Sequence, residues 1–199
     1  MGRAFFTRHD VLAISRELLG MYLVTNFNGL YTAGRIVEAE AYRGPDDKAS
    51  HAYKNRYTER TRVMYSVGGF AYVYLCYGIH HLFNIVTAGE GCPHAVLIRG
   101  IEPIDNVELM LQRRSLARPV ARLTAGPGVL SQALGITTAN SGIDLAAPDS
   151  PIWLEHRGEP SVQENDIEAG PRIGVAYAEE CAAWPWRFYL KGNPWVSKG

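Results

Sequence analysis

The dipeptide Asn28-Gly29 separates two runs of residues that both have the composition of β-strands. The first run is MYLVTNF and the second is LYTAGRIVEAEAY. Asn and Gly favour the positive φ angles of a tight hairpin turn, so the two runs are predicted to pair as antiparallel neighbours. A helix over Thr7 to Gly20, capped by Thr7, is predicted to precede the hairpin, because apolar residues recur there at helical spacing. The first part of the chain therefore predicts an antiparallel sheet anchored by a helix.

The remaining chain alternates further predicted strands with two further predicted helices. One helix is predicted over residues 105–115 and another over 126–135, where Pro127 suits the first turn and Gly135 suits the end. The 20 glycines and 11 prolines favour a loop-rich fold that contains a sheet over a bundle of helices, and 199 residues suit a single domain. The predicted strands read AYVYLC, HAVLIRG, IWLEH, RIGVAY and RFYL.

The second arm of the hairpin continues into the segment 36–51, which reads IVEAEAYRGPDDKASH. Because side chains alternate along a strand, Glu38, Glu40 and Tyr42 are predicted to share one face. Burying carboxylates is costly unless they are paired or functional, so this face suits an acid/base site with an aromatic wall, and His51 follows after a turn. The alternative at this point is that both glutamates line the solvated face of an antiparallel sheet.

Two further features concern positive charge. Residues 43–69 are irregular and polar, and their basic residues are interleaved with tyrosines, a mixture that suits a phosphate-rich ligand but that an ordinary exposed loop also shows. The strand HAVLIRG carries Arg99, which must be paired with a carboxylate or an anionic ligand. The basic residues of the loop are Lys54, Arg56, Arg60 and Arg62.

The net charge of zero argues against a nucleic-acid partner, but the distribution of charge does not. Residues 144–180 hold nine acidic and two basic residues, so the rest of the chain carries a net charge of +7. One surface can therefore be electropositive while another offsets it, provided that the segregation along the sequence survives folding.

Several functional classes are disfavoured by features that the sequence lacks. No apolar run has the length of a membrane span, and the first residues do not follow the pattern of a signal peptide. The three cysteines have no CxxC spacing and are interpreted as reduced thiols of a cytosolic protein. Phosphate-binding glycine motifs, the HExxH zinc motif and the GxSxG nucleophile motif do not occur, and the histidines lack a metal-binding spacing. We therefore expect no metal site.

Five segments, in order along nearly the whole chain, closely resemble the alkyladenine (3-methyladenine) DNA glycosylase family. Five co-linear segments are far more specific than a single short motif. The resemblance implies one α+β domain over residues 1–199, built around a curved, mainly antiparallel sheet or open barrel with flanking helices. The segments are IVEAEAYRGPDDKASH, AYVYLCYGIHHLFNIV, AVLIRGIEP, LTAGPGVLSQALGI and RFYLKGNPWVS.

The resemblance also implies roles for the matched pocket residues. Glu40 falls on the general base of the family, and Arg99 falls on the arginine that helps to position the nucleophilic water. Glu38, the other carboxylate of that strand face, is interpreted as a structural group held in an ion pair. The walls of the pocket that holds the extruded base are matched by Tyr42, His51 and Tyr74.

Further matches concern specificity and DNA contact. Asn84 falls on the pocket asparagine that excludes the guanine amino group, and Tyr77 falls on the side chain that intercalates into the duplex. The family often has proline after the threonine of its DNA-facing loop, whereas this chain has Glu59, which puts the DNA contacts of the loop in doubt. The positions of that loop are matched by Arg56, Thr58 and Met64.

The resemblance implies a base-excision-repair enzyme that flips an alkylated or deaminated purine out of double-stranded DNA. A glutamate-activated water would hydrolyse the N-glycosidic bond and leave an abasic site, without strand cleavage, because no lysine falls on a matched pocket position. The enzyme is expected to need no metal or organic cofactor, to act as a monomer away from membranes, and to reside in the cytoplasm or nucleoid, or in a nucleus. Two alternatives stay open, a non-catalytic damaged-DNA-binding protein and a hydrolase of free nucleosides, and so does the choice among lesions.

Overall fold

The computed structural model describes residues 1–198, which contain one eight-stranded sheet in which every strand pairing is antiparallel. The main path of the sheet runs β3-β4-β5-β2-β1-β6, and β8 joins β2 to β7. This path does not close on itself within the described residues, so the sheet is open, as the resemblance implied. The strands are β1 (Tyr22–Phe27), β2 (Leu30–Arg43), β3 (Ala71–Cys76), β4 (His80–Thr87), β5 (His94–Asp105), β6 (Ile152–Glu155), β7 (Ile167–Gly170) and β8 (Arg187–Leu190).

Helices are few and short, and they flank the sheet. α2 packs on β2, and α4 packs on β4 and β5, so that Ile14 of α2 and Leu130 of α4 are completely buried. No helix in residues 1–198 is both long and apolar enough to cross a membrane. The α-helices are α1 (Arg3–Phe6), α2 (Val11–Glu17), α3 (Val107–Arg114) and α4 (Pro127–Leu134). Short 3₁₀ helices are Tyr53–Asn55, Arg62–Tyr65, Ala121–Leu123, Thr138–Asn140, Glu164–Asp166 and Ala176–Ala183.

The predicted hairpin is confirmed. β1 and β2 pair up to Phe27 opposite Leu30, and the turn residues Asn28 and Gly29 have φ angles of +54° and +83°. Both central residues thus have the left-handed conformation that matches the twist of the flanking strands.

Some predicted boundaries were wrong for identifiable reasons. The first long helix begins at Val11 rather than near Thr7, because the side chain of Asp10 accepts hydrogen bonds from the backbone N–H groups of Leu12 and Ala13 and so caps it. The helix predicted over residues 105–115 begins at Val107, because Asp105 is the last residue of β5. The helix predicted over residues 126–135 is confirmed as α4.

The stretch RIGVAY is not a strand, contrary to the prediction. Its first residues form a turn, and Ala176 begins a 3₁₀ helix. The strand β7, which pairs with β8, lies just before it and was not predicted. The turn is important for the site because it lies against β2.

β2 is the central strand of the molecule. It pairs with β5 along most of its length, with β1 through its first half and with β8 at residues 38–40. Its register with β5 shifts on both sides of Glu38, so that Glu38 lies opposite Gly100 and Ala39 lies opposite Ile98. Arg99 is therefore an extra residue in a β-bulge, a distortion that changes the direction of side chains.

Candidate active site

A cavity of about 620 Å³ opens beside the central strands. Residues of β2, β3, β4 and β5 line it, together with the first turn of α4 and the segment 173–177. Its volume lies within the range of small-molecule sites. The structure brings together here most of the side chains that the sequence placed in a pocket: Tyr42, His51, Tyr74, Asn84 and Arg99.

Glu40 is completely buried and does not itself line the cavity, but it contacts three residues that do, Tyr42, Arg99 and Ile173. Its Oε1 atom accepts a hydrogen bond of 2.7 Å from the backbone N–H of Ile173, and its Oε2 atom accepts one of 2.7 Å from the hydroxyl of Tyr42. The Nε atom of Arg99 lies 3.4 Å from Oε1. Burial raises the pKa of the Glu40 carboxyl, whereas Arg99 and the two hydrogen bonds lower it. The result is an oriented carboxylate whose affinity for a proton is increased, as a general base requires.

Glu38 is also completely buried, but its surroundings differ. Its Oε1 accepts from the Nε of Arg187 at 2.6 Å and from the hydroxyl of Ser197 at 2.8 Å, and its Oε2 accepts from the Ser197 backbone N–H at 2.7 Å. A Cβ atom at Gly100 would lie 2.7 Å from the carbonyl oxygen of Trp195, so the absence of a side chain there lets this C-terminal segment approach. The structural ion pair expected for Glu38 is present.

Arg99 lies between the two carboxylates and is 7% exposed. Its Nε atom is 3.3 Å from Oε1 of Glu38 and 3.4 Å from Oε1 of Glu40. The expectation that this arginine must be paired is confirmed. Because it is the extra residue of the bulge, its guanidinium reaches both side chains from the neighbouring strand.

Aromatic rings form one wall of the cavity. The Nδ1 atom of His51 lies 2.9 Å from the hydroxyl of Tyr72, and its ring meets that of Tyr74 edge to face with centroids 4.6 Å apart. Burial, aided by the positive charges of Arg60 and Arg56, lowers the pKa of His51 to about 4. His51 is therefore neutral at pH 7 and can act as a flat, uncharged wall.

Tyr72, which was not matched to the pocket, also lines the cavity. Its burial is nearly complete at 2% exposure, and its hydroxyl has the His51 partner described above. The signal for this role was present in the sequence, since Tyr72 shares a strand face with Tyr74.

Asn84 has a fixed orientation. Its Nδ2 atom donates to the backbone carbonyls of Tyr72 at 3.1 Å and Leu82 at 3.2 Å. Both amide hydrogens are thus used, which leaves the Oδ1 atom as the polar group of this side chain that can meet a ligand.

Tyr77 lies at the tip of the β3–β4 hairpin and is 88% exposed. Its φ angle is +51° and that of Gly78 is +73°, and the N–H of Ile79 donates to the carbonyl of Cys76 across the turn. Positive φ is uncommon for a tyrosine, and here the turn directs a large aromatic side chain into solvent beside the mouth of the cavity.

The residues matched to the DNA-facing loop divide into two groups. Arg56 and Thr58 are exposed, and Glu59 lies 3.7 Å from Arg62 in a surface ion pair. Met64 is only 2% exposed and lines the cavity. It turns inward because it packs in a small apolar cluster with Tyr72, so the structure places it in the pocket rather than at the loop surface.

One buried ion pair behind the pocket was not predicted from the sequence. Arg172 and Asp47 are paired through both guanidinium nitrogens, one at 2.8 Å, and both side chains are fully buried. Arg172 also donates to the carbonyl of Ala41 at 2.9 Å and lies over the ring of Tyr42 at 4.7 Å. These contacts hold the turn that delivers the Ile173 N–H to Glu40. The sequence does contain a hint of this pair, because Arg172 is a charged residue in the otherwise apolar run RIGVAY, as Arg99 is in HAVLIRG.

Metal-ligating side chains do not cluster in the part of the chain that the structure describes. No group of three or more His, Cys, Asp or Glu residues in 1–198 is arranged to hold a metal ion.

Comparison with known proteins gives consistent similarities over nearly the full length. Residues 4–194 match the family model described as "Methylpurine-DNA glycosylase (MPG)". A protein named "Putative 3-methyladenine DNA glycosylase" from Bacillus cereus (strain G9842) is 46% identical over 198 residues, which cover 97% of each chain. A protein of the same name from Bacillus anthracis (strain CDC 684 / NRRL 3495) has the same identity and coverage.

Proposed function

The chain belongs to the methylpurine-DNA glycosylase family, and we propose that Glu40 is the general base with which it hydrolyses the N-glycosidic bond of a damaged purine. It is a monofunctional DNA N-glycosylase for alkylated purines in base excision repair. The observation that carries the assignment of the base is the buried Glu40 carboxylate, held by Tyr42, Ile173 and Arg99, which line the aromatic cavity.

Access to the glycosidic bond requires extrusion of the nucleotide. A base inside a duplex cannot reach a buried pocket, and extrusion costs on the order of a few kcal/mol, less for a damaged or mispaired base. The exposed ring of Tyr77 enters the duplex and fills the space that the base leaves, so that stacking offsets part of this cost. Arg56 and Thr58 contact the DNA backbone from the exposed loop.

The extruded purine binds between flat side chains. Tyr42, His51 and Tyr74 contact its faces, and Met64 contributes the apolar contact that its buried position allows. A purine alkylated at N3 or N7 is cationic, and a cation is attracted to the face of an electron-rich ring. Asn84 excludes bases that carry an extra amino group at the edge it faces.

Hydrolysis proceeds with a water molecule as the nucleophile. Glu40 removes a proton from the water, the water oxygen forms a bond to C1′, and the bond from C1′ to the base nitrogen breaks with its electron pair leaving on the base. The carboxylate also stabilises positive charge that develops on the sugar. Arg99 keeps Glu40 ionised and positions the water. A single copy of the chain supplies all of these groups, so we propose that the enzyme acts as a monomer.

Glu40→Gln tests this assignment. We expect the single-turnover rate of hypoxanthine or 3-methyladenine excision from a duplex to fall by about 10²- to 10⁴-fold, because the variant has no base, while binding to the lesion-containing duplex is retained. The exposed Glu90→Gln is a matched control that should retain full activity. Near-normal excision by Glu40→Gln would remove Glu40 from the role of base. A free nucleoside in the same assay should not be cleaved.

A further inference from the structure

Arg60 occupies the rim of the cavity in a position that no assigned step uses. Its Nη2 atom lies 3.2 Å from Nε2 of His51, and its guanidinium carbon lies 5.0 Å from the ring centroid of Tyr74. An arginine can only donate hydrogen bonds, so Nε2 of His51 accepts and the ring hydrogen is on Nδ1, which donates to the hydroxyl of Tyr72. Arg60 thus contacts two walls of the base pocket and fixes His51 in a neutral form.

The positive charge of Arg60 is not compensated by an ion pair. The carboxylate next to it in sequence, Glu59, pairs with Arg62 instead, and no carboxylate in residues 1–198 forms a salt bridge with Arg60. The other arginine of the lining, Arg99, lies between Glu38 and Glu40. No Asp or Glu lines the cavity in this part of the chain.

The positive charge of Arg60 acts on the aromatic side chains that would contact an extruded base. Burial raises the pKa values of Tyr72 and Tyr74, and Arg60 opposes that rise in both. Burial lowers the pKa of His51, and Arg60 lowers it further. The electrostatic potential of Arg60 therefore extends over the aromatic wall.

We propose that Arg60 is a specificity-determining residue that favours neutral purine lesions, such as hypoxanthine, relative to cationic ones, such as 3-methyladenine. This inference rests on the proposed function of the same pocket. A cationic base and Arg60 repel each other and compete for the ring of Tyr74, whereas a neutral base has no such conflict.

The chemical step leaves this difference unchanged. When the bond from C1′ to the base breaks, the electron pair leaves on the base, so a neutral base becomes anionic and a cationic base becomes neutral. The charge of the base changes by the same amount in both cases, and Arg60 stabilises both changes equally. The water oxygen bonds to C1′ and its proton goes to Glu40 in both cases, so the discrimination arises from the charge of the base that enters the pocket.

Arg60→Gln tests the proposal through a ratio. The second-order rate constants for excision of 3-methyladenine and of hypoxanthine are measured under single-turnover conditions in the same duplex sequence. We expect the ratio of the first to the second to rise by about three- to tenfold in Arg60→Gln, as expected for two unit charges across a solvated rim. Arg60→Lys keeps the charge and should keep the ratio near that of the unmodified protein.

Arg62→Gln is the matched control, because Arg62 is on the same loop, is exposed and does not line the base cavity. It should leave the ratio unchanged even if overall affinity falls. An equal change for both lesions in Arg60→Gln would overturn the proposal and make Arg60 a backbone contact only. Failure of the unmodified protein to excise either lesion would instead refute the proposed function, and that result is distinct from an unchanged ratio.

Discussion

Removal of one hydroxyl group should move the pH dependence of the enzyme. In Tyr42→Phe the ring remains as a pocket wall, but the 2.7 Å hydrogen bond to Oε2 of Glu40 is lost. That bond stabilises the ionised carboxylate and so lowers its pKa. Without it the pKa of Glu40 rises, and a higher pH is needed to ionise the base.

The size of the expected pKa shift follows from the burial of the Tyr42–Glu40 hydrogen bond. A hydrogen bond to a charged group contributes about 1.5–3 kcal/mol, and one pKa unit corresponds to about 1.4 kcal/mol. Glu40 is 0% exposed, so solvent does not screen the interaction. We therefore expect the acidic limb of the rate profile to move up by about one to two pH units. Above that limb the rate should be close to that of the unmodified protein.

The assay is single-turnover excision of one lesion from pH 4 to pH 9, with enzyme in excess. Tyr72→Phe is the matched control, because the Tyr72 hydroxyl bonds to His51 rather than to Glu40. It removes a hydroxyl from the same wall and should leave the acidic limb in place. If the limb of Tyr42→Phe does not move, or if both variants move it equally, the Tyr42 hydroxyl does not control the ionisation of Glu40.

Two further predictions concern stability and DNA binding. Asp47→Asn leaves Arg172 charged and buried without its carboxylate, so the free energy of unfolding should fall by about 3–5 kcal/mol in chemical denaturation, and a loss below about 0.5 kcal/mol would contradict the importance of this pair. Tyr77→Ala should weaken binding to a duplex that contains an abasic-site analogue by about 1–3 kcal/mol in fluorescence anisotropy. Its free energy of unfolding should not change, because the side chain is 88% exposed, and unchanged DNA affinity would argue against intercalation.

Local features of the fold could be predicted because neighbouring residues determine them. Asn28-Gly29 adopts the positive φ angles of a hairpin turn, which these two residue types favour strongly on their own. Pro127 and Gly135 mark the two ends of α4 for similarly local reasons. The start of α2 shows the limit of prediction from neighbouring residues. Both Thr7 and Asp10 have side chains that can cap a helix, and only the structure shows that Asp10 caps this one.

Features that depend on distant contacts could not be predicted. The run RIGVAY has the composition of a strand, but Arg172 is held by Asp47 and the Ile173 N–H is used by Glu40. These contacts join residues more than a hundred positions apart and override local preference. Met64 was matched to a loop that faces DNA, yet its apolar side chain gains more by burial beneath the wall than by exposure.

The strand alternation alone could not separate Glu38 from Glu40, because it assigns both to one face. Their difference comes from what lies beyond the strand. The C-terminal segment surrounds Glu38 with donors from Arg187 and Ser197, which occupy both of its oxygens. Glu40 instead accepts one hydrogen bond on each oxygen, with the Arg99 Nε 3.4 Å from Oε1, and contacts residues that line the cavity, so Oε2 keeps a lone pair that can accept a proton from water. The bulge that inserts Arg99 between them pairs both buried carboxylates with one guanidinium, and the asymmetry of the remaining partners is why we propose Glu40, and not Glu38, as the base.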